Sequence, residues 1–166
     1  MHLIRLILPC LLIMFQPLKA KVEAPNYHFD IKEFDPYLPG KTIEPSSGQF
    51  KLLNKKNSAT LHQGEIKTSK YHIPLFITLE KNTVIDFYAR LPSYFLHDVF
   101  FQSLINRYGK QTRYQMKDEH AVYTWETKEL LITYSATCTI TCFPIFLSIA
   151  SQQSKNKSLL KQLKFN

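Results

Sequence analysis

Apolar and polar positions alternate along two adjoining stretches in the middle of the chain. Over 71–79, Ile73, Leu75, Ile77 and Leu79 share one side. Over 83–91, Ile85, Phe87, Ala89 and Leu91 share one side, with Asp86, Tyr88 and Arg90 on the other. A period of two is that of a half-buried strand. Glu80-Lys81-Asn82 between the stretches is short and polar, so they should form a hairpin. Pro74 cannot donate to a ladder, which predicts an unpaired side near the start of its strand. A preceding strand fits 61–67. The period then lengthens. Leu96, Val99, Phe100, Ser103, Leu104 and Tyr108 recur at three and four, the spacing of a helix over 93–108. Ser93 suits its N-cap, Arg107 its last turn and Gly109 the position that ends it. Strands resume at 113–117. Ala121, Tyr123 and Trp125 then alternate with Val122, Thr124 and Glu126. Leu130, Ile132, Tyr134 and Ala136 follow across a turn at Thr127-Lys128, and Phe143, Ile145, Leu147 and Ile149 form a last strand.

The flanks are less regular. Over 21–60, Pro25, Pro36, Pro39 and Pro45, with Gly40 and Gly48, break any long periodic element, and there is room for one short helix around 49–55. The basic tail, 151–166, is polar and then sets Leu159, Leu160 and Leu163 among Lys157, Lys161 and Lys164. So short a segment cannot hold a helix alone in water, so it is either frayed or docked. The whole reads as an α+β domain with its core over 61–150. An antiparallel meander would carry one principal helix packed on one face.

The element order invites comparison with itself. Phe50-Lys51-Leu52-Leu53-Asn54 precedes strands at 61–67, 71–79 and 83–91; Phe101-Gln102-Ser103-Leu104-Ile105-Asn106 precedes strands at 113–117, 121–126 and 130–136. One reading is two tandem helix-plus-three-strand units, 49–91 and 93–150; the other is chance recurrence of short meanders. A helix followed by an antiparallel meander resembles the small outer-membrane assembly lipoproteins. Doubled, it resembles the proteinaceous β-lactamase inhibitors. The likeness covers roughly 49–150 and rests on element order. It implies a binding module, not an enzyme, and carries over no site residue.

The first twenty residues bear on compartment. Met1 to Arg5 carries one fixed positive charge, 6–15 is apolar apart from Pro9, and Gln16-Pro17-Leu18-Lys19-Ala20 turns polar and ends on a small residue. These are the parts of a secretory signal peptide cleaved near Ala20. The apolar run is too short to span a bilayer, which takes about 20 residues. Cys10 lies inside the run, not at the cut where a lipidation cysteine would sit. No later stretch is apolar enough to cross a membrane. Removing 1–20 takes Arg5 and Lys19 and no acid, so the formal net charge of +8 becomes +6. That balance favours a protein or an anionic envelope component as partner, or serves solubility alone. Of the remaining chain only Cys138 and Cys142 are cysteines, and in an oxidising compartment they should pair. Residues four apart in a straight strand are about 13 Å apart, too far for a disulfide, so the chain must turn between them.

Chemistry is harder to find. His97-Asp98 could serve a hydrolase, but the other histidines are scattered, and none lies three or four residues from another. No Gly-x-Ser-x-Gly elbow or glycine-rich phosphate loop occurs. No cofactor, metal site or specific nucleic-acid motif is indicated. Aromatics crowd the middle of the chain. Beside Arg90, Arg107 and Arg113 they could form a stacking platform for single-stranded nucleic acid or sugar. Phe87, Tyr123, Trp125 and Tyr134 sit at inward positions and read as core. Phe95 and Phe101 lie off the main helical stripe and hint at a partner surface, with Arg107 and Arg90 as further candidates. The expected function is an exported, non-enzymatic binding protein, periplasmic or secreted. A hydrolase built around His97 and Asp98, with Tyr94 or Arg107 as a further candidate, and a secreted basic effector are the alternatives.

Overall fold

The computed structural model describes residues 31–45, 48–68, 71–92 and 97–160. A 3-10 helix (Ile31–Tyr37) leads into β1 (Phe50–Lys56), β2 (Ala59–Lys67), β3 (His72–Glu80) and β4 (Thr83–Leu91). Helix α1 (His97–Tyr108) leads into β5 (Arg113–Lys117), β6 (His120–Glu126), β7 (Leu130–Cys138) and β8 (Cys142–Ser151). All eight strands form one antiparallel sheet in the order β1-β2-β3-β4-β8-β7-β6-β5. Each half is a four-strand meander, and the halves join where β4 pairs with β8, from Asp86↔Ala150 to Leu91↔Ile145. The sheet dominates the described residues more than an even α+β balance implies.

Turn chemistry explains the meanders. Lys81-Asn82 and Asp118-Glu119 both have positive φ at each central residue, as a type I′ hairpin requires. The hairpin expected across residues 80–82 forms, with Glu80 opposite Thr83. Pro74 is opposite Glu65 in β2, while the ladder to β4 begins only at Leu75, so its missing donor faces no partner strand on that side. One expected inward residue moves. The register shifts so that Leu79 meets Val84 and Thr78 meets Asp86. Ile85 is thus the bulged residue, and Val84 takes the inward place in the core cluster.

Two assignments in the N-terminal segment are corrected. The region around 49–55 is strand, not helix, and 31–37 is a 3-10 helix within a stretch read as irregular. Each half accordingly carries four strands, not three, and the sheet begins at Phe50, not 61. Phe50 and Leu52 fit the strand period as well as a helical one. Asn57, at φ 55°, closes a tight turn that pairs β1 back on β2, and long-range pairing decides the case. Residues 1–30 and 93–96, which hold the expected signal peptide, Ser93, Tyr94 and Phe95, lie outside the described residues. Among the described residues no helix is long and apolar enough to cross a membrane.

The core lies between the helices and one sheet face. From α1, Phe100 and Leu104 are fully buried, as their spacing predicted. Phe100 stacks on Tyr134 at 5.9 Å and meets Phe34 edge-on at 5.8 Å. Phe34 in turn stacks on Phe87 at 5.4 Å. The 3-10 helix thus covers β1–β4 and α1 covers β5–β8, with the Phe34–Phe100 contact between them. Phe87, Trp125 and Tyr134 are core, as read from their alternation; Tyr123 is half-buried. Cys138 is opposite Cys142 across the β7–β8 turn, with the two sulfurs within disulfide-bonding distance. The tail docks as far as it is described. Leu159 and Leu160 are buried against Ala59 and Leu61, on the sheet face away from the helices.

Candidate binding surface

Alternation sends every second residue of the central strands to this outer face. Cross-strand pairs set their order. Phe76 is opposite Tyr88, Tyr88 opposite Ser148, Arg90 opposite Phe146, Ser148 opposite Thr133 and Phe146 opposite Ser135. Tyr88 and Phe146 lie diagonally and stack at 5.4 Å between ring centroids, 23° from parallel. Phe76, Tyr88 and Phe146 therefore make an aromatic strip across the seam between the two halves. Arg90 stands beside it, exposed, with its guanidinium 5.6 Å from the Phe143 ring. Partial burial pushes the Tyr88 hydroxyl up to about 12, against the opposing pull of Arg90, so the phenol stays neutral and can donate a hydrogen bond.

On one side of the strip the face is closed. The C-terminal segment crosses β2, β3 and β4 as a strap. Lys157 bridges Glu80 at 2.7 Å, the Leu159 amide reaches the Thr78 hydroxyl at 3.4 Å, and Ser158 hydrogen-bonds Asp86. Asp86 is buried, its Oδ1 has no partner, and burial raises its carboxyl above the ordinary range. On the other side, β8 and β7 present Phe146, Ser148, Ser135 and Thr133 half-exposed, and none of the described elements lies over them. The outer face thus carries a central aromatic strip with an arginine beside it and a margin of serine and threonine.

Compared with known proteins, the chain matches no protein-family model, no curated protein and no solved structure. Its surfaces must speak for themselves.

The residues singled out from sequence do not converge. Arg90 flanks the strip. Arg107 lies in the helix layer, where it pairs with Asp35 and sits 5.5 Å over the Tyr108 ring. Phe101 does not point away from the core. Its ring packs 4.5 Å from Tyr123 and 6.0 Å from Trp125, on the helix-covered face. Phe95 lies outside the described residues. His97 is half-buried. Its ring stacks against Phe101 at 6.1 Å and Tyr134 at 5.7 Å, with Nδ1 2.9 Å from the Tyr134 hydroxyl. Burial lowers the His97 pKa, with Asp98 pulling the other way, so the ring is neutral near pH 7. Asp98 is exposed and lines an open groove of about 1200 Å³ between α1 and the 3-10 helix, together with Asp35, Gln102 and Arg107; His97 does not line it. Among the described residues no group of three His, Cys, Asp or Glu converges as a metal site. Sequence reasoning placed Tyr88 outward but did not single out Phe146, although its alternation with Ile145 and Leu147 carried the signal.

Proposed function

We propose that the protein is an exported, non-enzymatic binding protein of the cell envelope, and that it recognises a protein partner through the outer sheet face over β4, β8 and β7. The observation that carries this reading is the Tyr88–Phe146 strip with Arg90, beside a part of the sheet that none of the described elements covers. The signal-like residues 1–20 and the Cys138–Cys142 pair support export to the periplasm or beyond. The repeated order of a helix and four strands supports a tandem module. A hydrolase around His97 and Asp98 has less support. The His97 ring is engaged by Tyr134 and Phe101, and the Asp98 carboxylate is on the groove side.

Photo-crosslinking in the native host tests the proposal. A photoreactive residue at position 148 or 133 should give a discrete adduct, and one at Gln102 or Asn106 on the helix layer should not. The adduct should vanish when Tyr88 and Phe146 are both alanine and the fold is intact. Adducts from the helix layer alone would overturn the assignment.

A further inference from the structure

The sheet has two ends, and their charges differ. β4 runs from Thr83 to Leu91 and pairs antiparallel with β8, so the Thr83 end of the sheet also holds the end of β8, the β1–β2, β3–β4 and β6–β7 turns and the entry to β5. Lys55 and Lys56 close β1, Lys81 lies in the β3–β4 turn and Lys128 in the β6–β7 turn. Lys41 is beside Val84, to which its carbonyl is bonded. Lys110 follows Gly109, whose carbonyl accepts the Trp125 indole N–H near the end of β6. All six are exposed. The acids at this end are Glu44, Glu126 and Glu129, with Glu80 engaged by Lys157. At the opposite end Glu65, Asp118 and Glu119 balance Lys67, Arg90 and Lys117.

We infer that this lysine rim docks the protein on an anionic lipid surface, independently of the outer-face recognition patch. The spacing favours an extended partner. Eight strands at about 4.8 Å spread the rim over roughly 34 Å, so a small anion could meet one or two of these lysines, while a bilayer meets them together. Lysine is a compact point charge suited to headgroup phosphates and needs no fixed partner geometry. An apolar contact adjoins the rim. On edge strand β1, Leu52 is 53% and Leu53 39% exposed, between Lys51 and Lys55. Leu52 is opposite His62 and Asn54 opposite Leu61, so Leu53 is the bulged residue between them. Exposed leucines among lysines suit the boundary between headgroups and acyl chains better than they suit a nucleic-acid backbone.

Vesicle sedimentation of the purified protein tests this. It should partition onto vesicles containing phosphatidylglycerol, not onto phosphatidylcholine alone, and added salt should release it. Replacing Lys55, Lys56, Lys81 and Lys128 with Gln should lower partition about fivefold per residue, equivalent to about 1 kcal/mol for each lysine near an anionic surface. These side chains are exposed in turns and at a strand end, so the circular dichroism of the variant should be unchanged. Lys67→Gln with Lys117→Gln, at the other end, should leave partition nearly intact. An equal loss per lysine from the two sets would overturn the rim in favour of net charge alone. Binding to duplex DNA without binding to anionic vesicles would overturn the lipid assignment. Neither result bears on the crosslinks from positions 148 and 133.

Discussion

The two halves of the sheet have the same strand count and the same meander order, but the cover on their outer face differs. On β7 and β8 burial alternates: Ile132, Tyr134 and Ala136 on β7 and Ile145, Leu147 and Ile149 on β8 are buried, and the residues between them are half-exposed. Beside the β3–β4 hairpin it is continuous: Ile77, Thr78 and Leu79 on β3 and Val84, Ile85, Asp86 and Phe87 on β4 are all buried. The strap makes the difference. Where a segment lies on both faces, even a polar outward residue such as Thr78 or Asp86 is taken from water. A sheet face left open is polar or is used, and at the seam the outer face carries a stacked pair, Tyr88 on β4 and Phe146 on β8. The strap finishes the fold of one half, while no described element lies over β8 and β7 in the other.

The largest expected effects test the shared inner core. Phe34 and Phe100 are fully buried and in contact, one from the helix over each half. Phe100→Ala should cost about 3–5 kcal/mol, the range for truncating a buried aromatic. Phe34→Ala should cost a similar amount, and the double variant less than the sum, because contacting residues couple. Denaturant melts of the three variants measure this. Strict additivity would mean that the halves fold on separate cores. Phe101→Ala should fall below Phe100→Ala, because Phe101 is half-buried at the rim of the Tyr123 and Tyr134 cluster.

Next in size is the strap. Leu159→Ala should cost about 2 kcal/mol, the low end for a buried leucine, since a site on an outer face can partly collapse. Tyr88 and Phe76 pack against the same cluster, so the change should also raise solvent access at the strip. Hydrogen exchange of β2 and β3 amides would locate the loss. Uniform loss across β7 as well would show that the two outer faces are not independent.

These expectations separate what was legible in the chain from what was not. Phe100 and Leu104, four apart, announced the buried stripe of α1, and the alternation of Tyr123, Trp125, Ile132 and Tyr134 announced its floor. The hairpin across residues 80–82 followed from its polar turn. The pairing of β4 with β8 was not legible, because roughly fifty residues separate the strands and no local pattern specifies which edges meet. For the same reason β1 was mistaken for a helix. The strap's docking depends on Ala59 and Leu61, a hundred residues away in sequence, so its leucines gave no sign of their destination. Of the surface, Tyr88 and Arg90 could be placed outward, but their company with Phe146 required the register.

A smaller effect concerns the open half. Tyr88 and Phe146 are half-exposed, so Phe146→Ala should cost about 1 kcal/mol of stability, mostly the stacking and part of the ring's burial. Its effect on the crosslink from position 148 should be far larger. Stability and capture falling together would mean that the pair is structural.

The smallest effect is a gain. Asp86 is buried beneath the strap with Oδ1 unpartnered, and desolvation raises its carboxyl above 3.8, with Ser158 and Thr78 pulling partly back. The folded chain therefore binds this proton more tightly than the unfolded chain. Stability at this site falls as pH rises from the ordinary aspartate value through the raised folded value, and the full cost is present above that raised value. Asp86→Asn removes the charge and keeps an oxygen that can accept from Ser158 and Thr78. It should stabilise the protein by about 1 kcal/mol at pH 7, the scale of one buried polar imbalance. The gain should shrink toward zero as pH falls to the ordinary aspartate range. His62 and His97 act oppositely, since burial lowers both and makes folding weaker below about 6.5. Subtracting wild-type melts from variant melts at each pH cancels the histidines and leaves the aspartate. The same substitution in a chain ending at Ser154 should give almost no gain, because without the strap the carboxylate returns to water. A gain that persisted there would mean that neighbouring strand residues bury Asp86, and that the two outer faces differ by more than their cover.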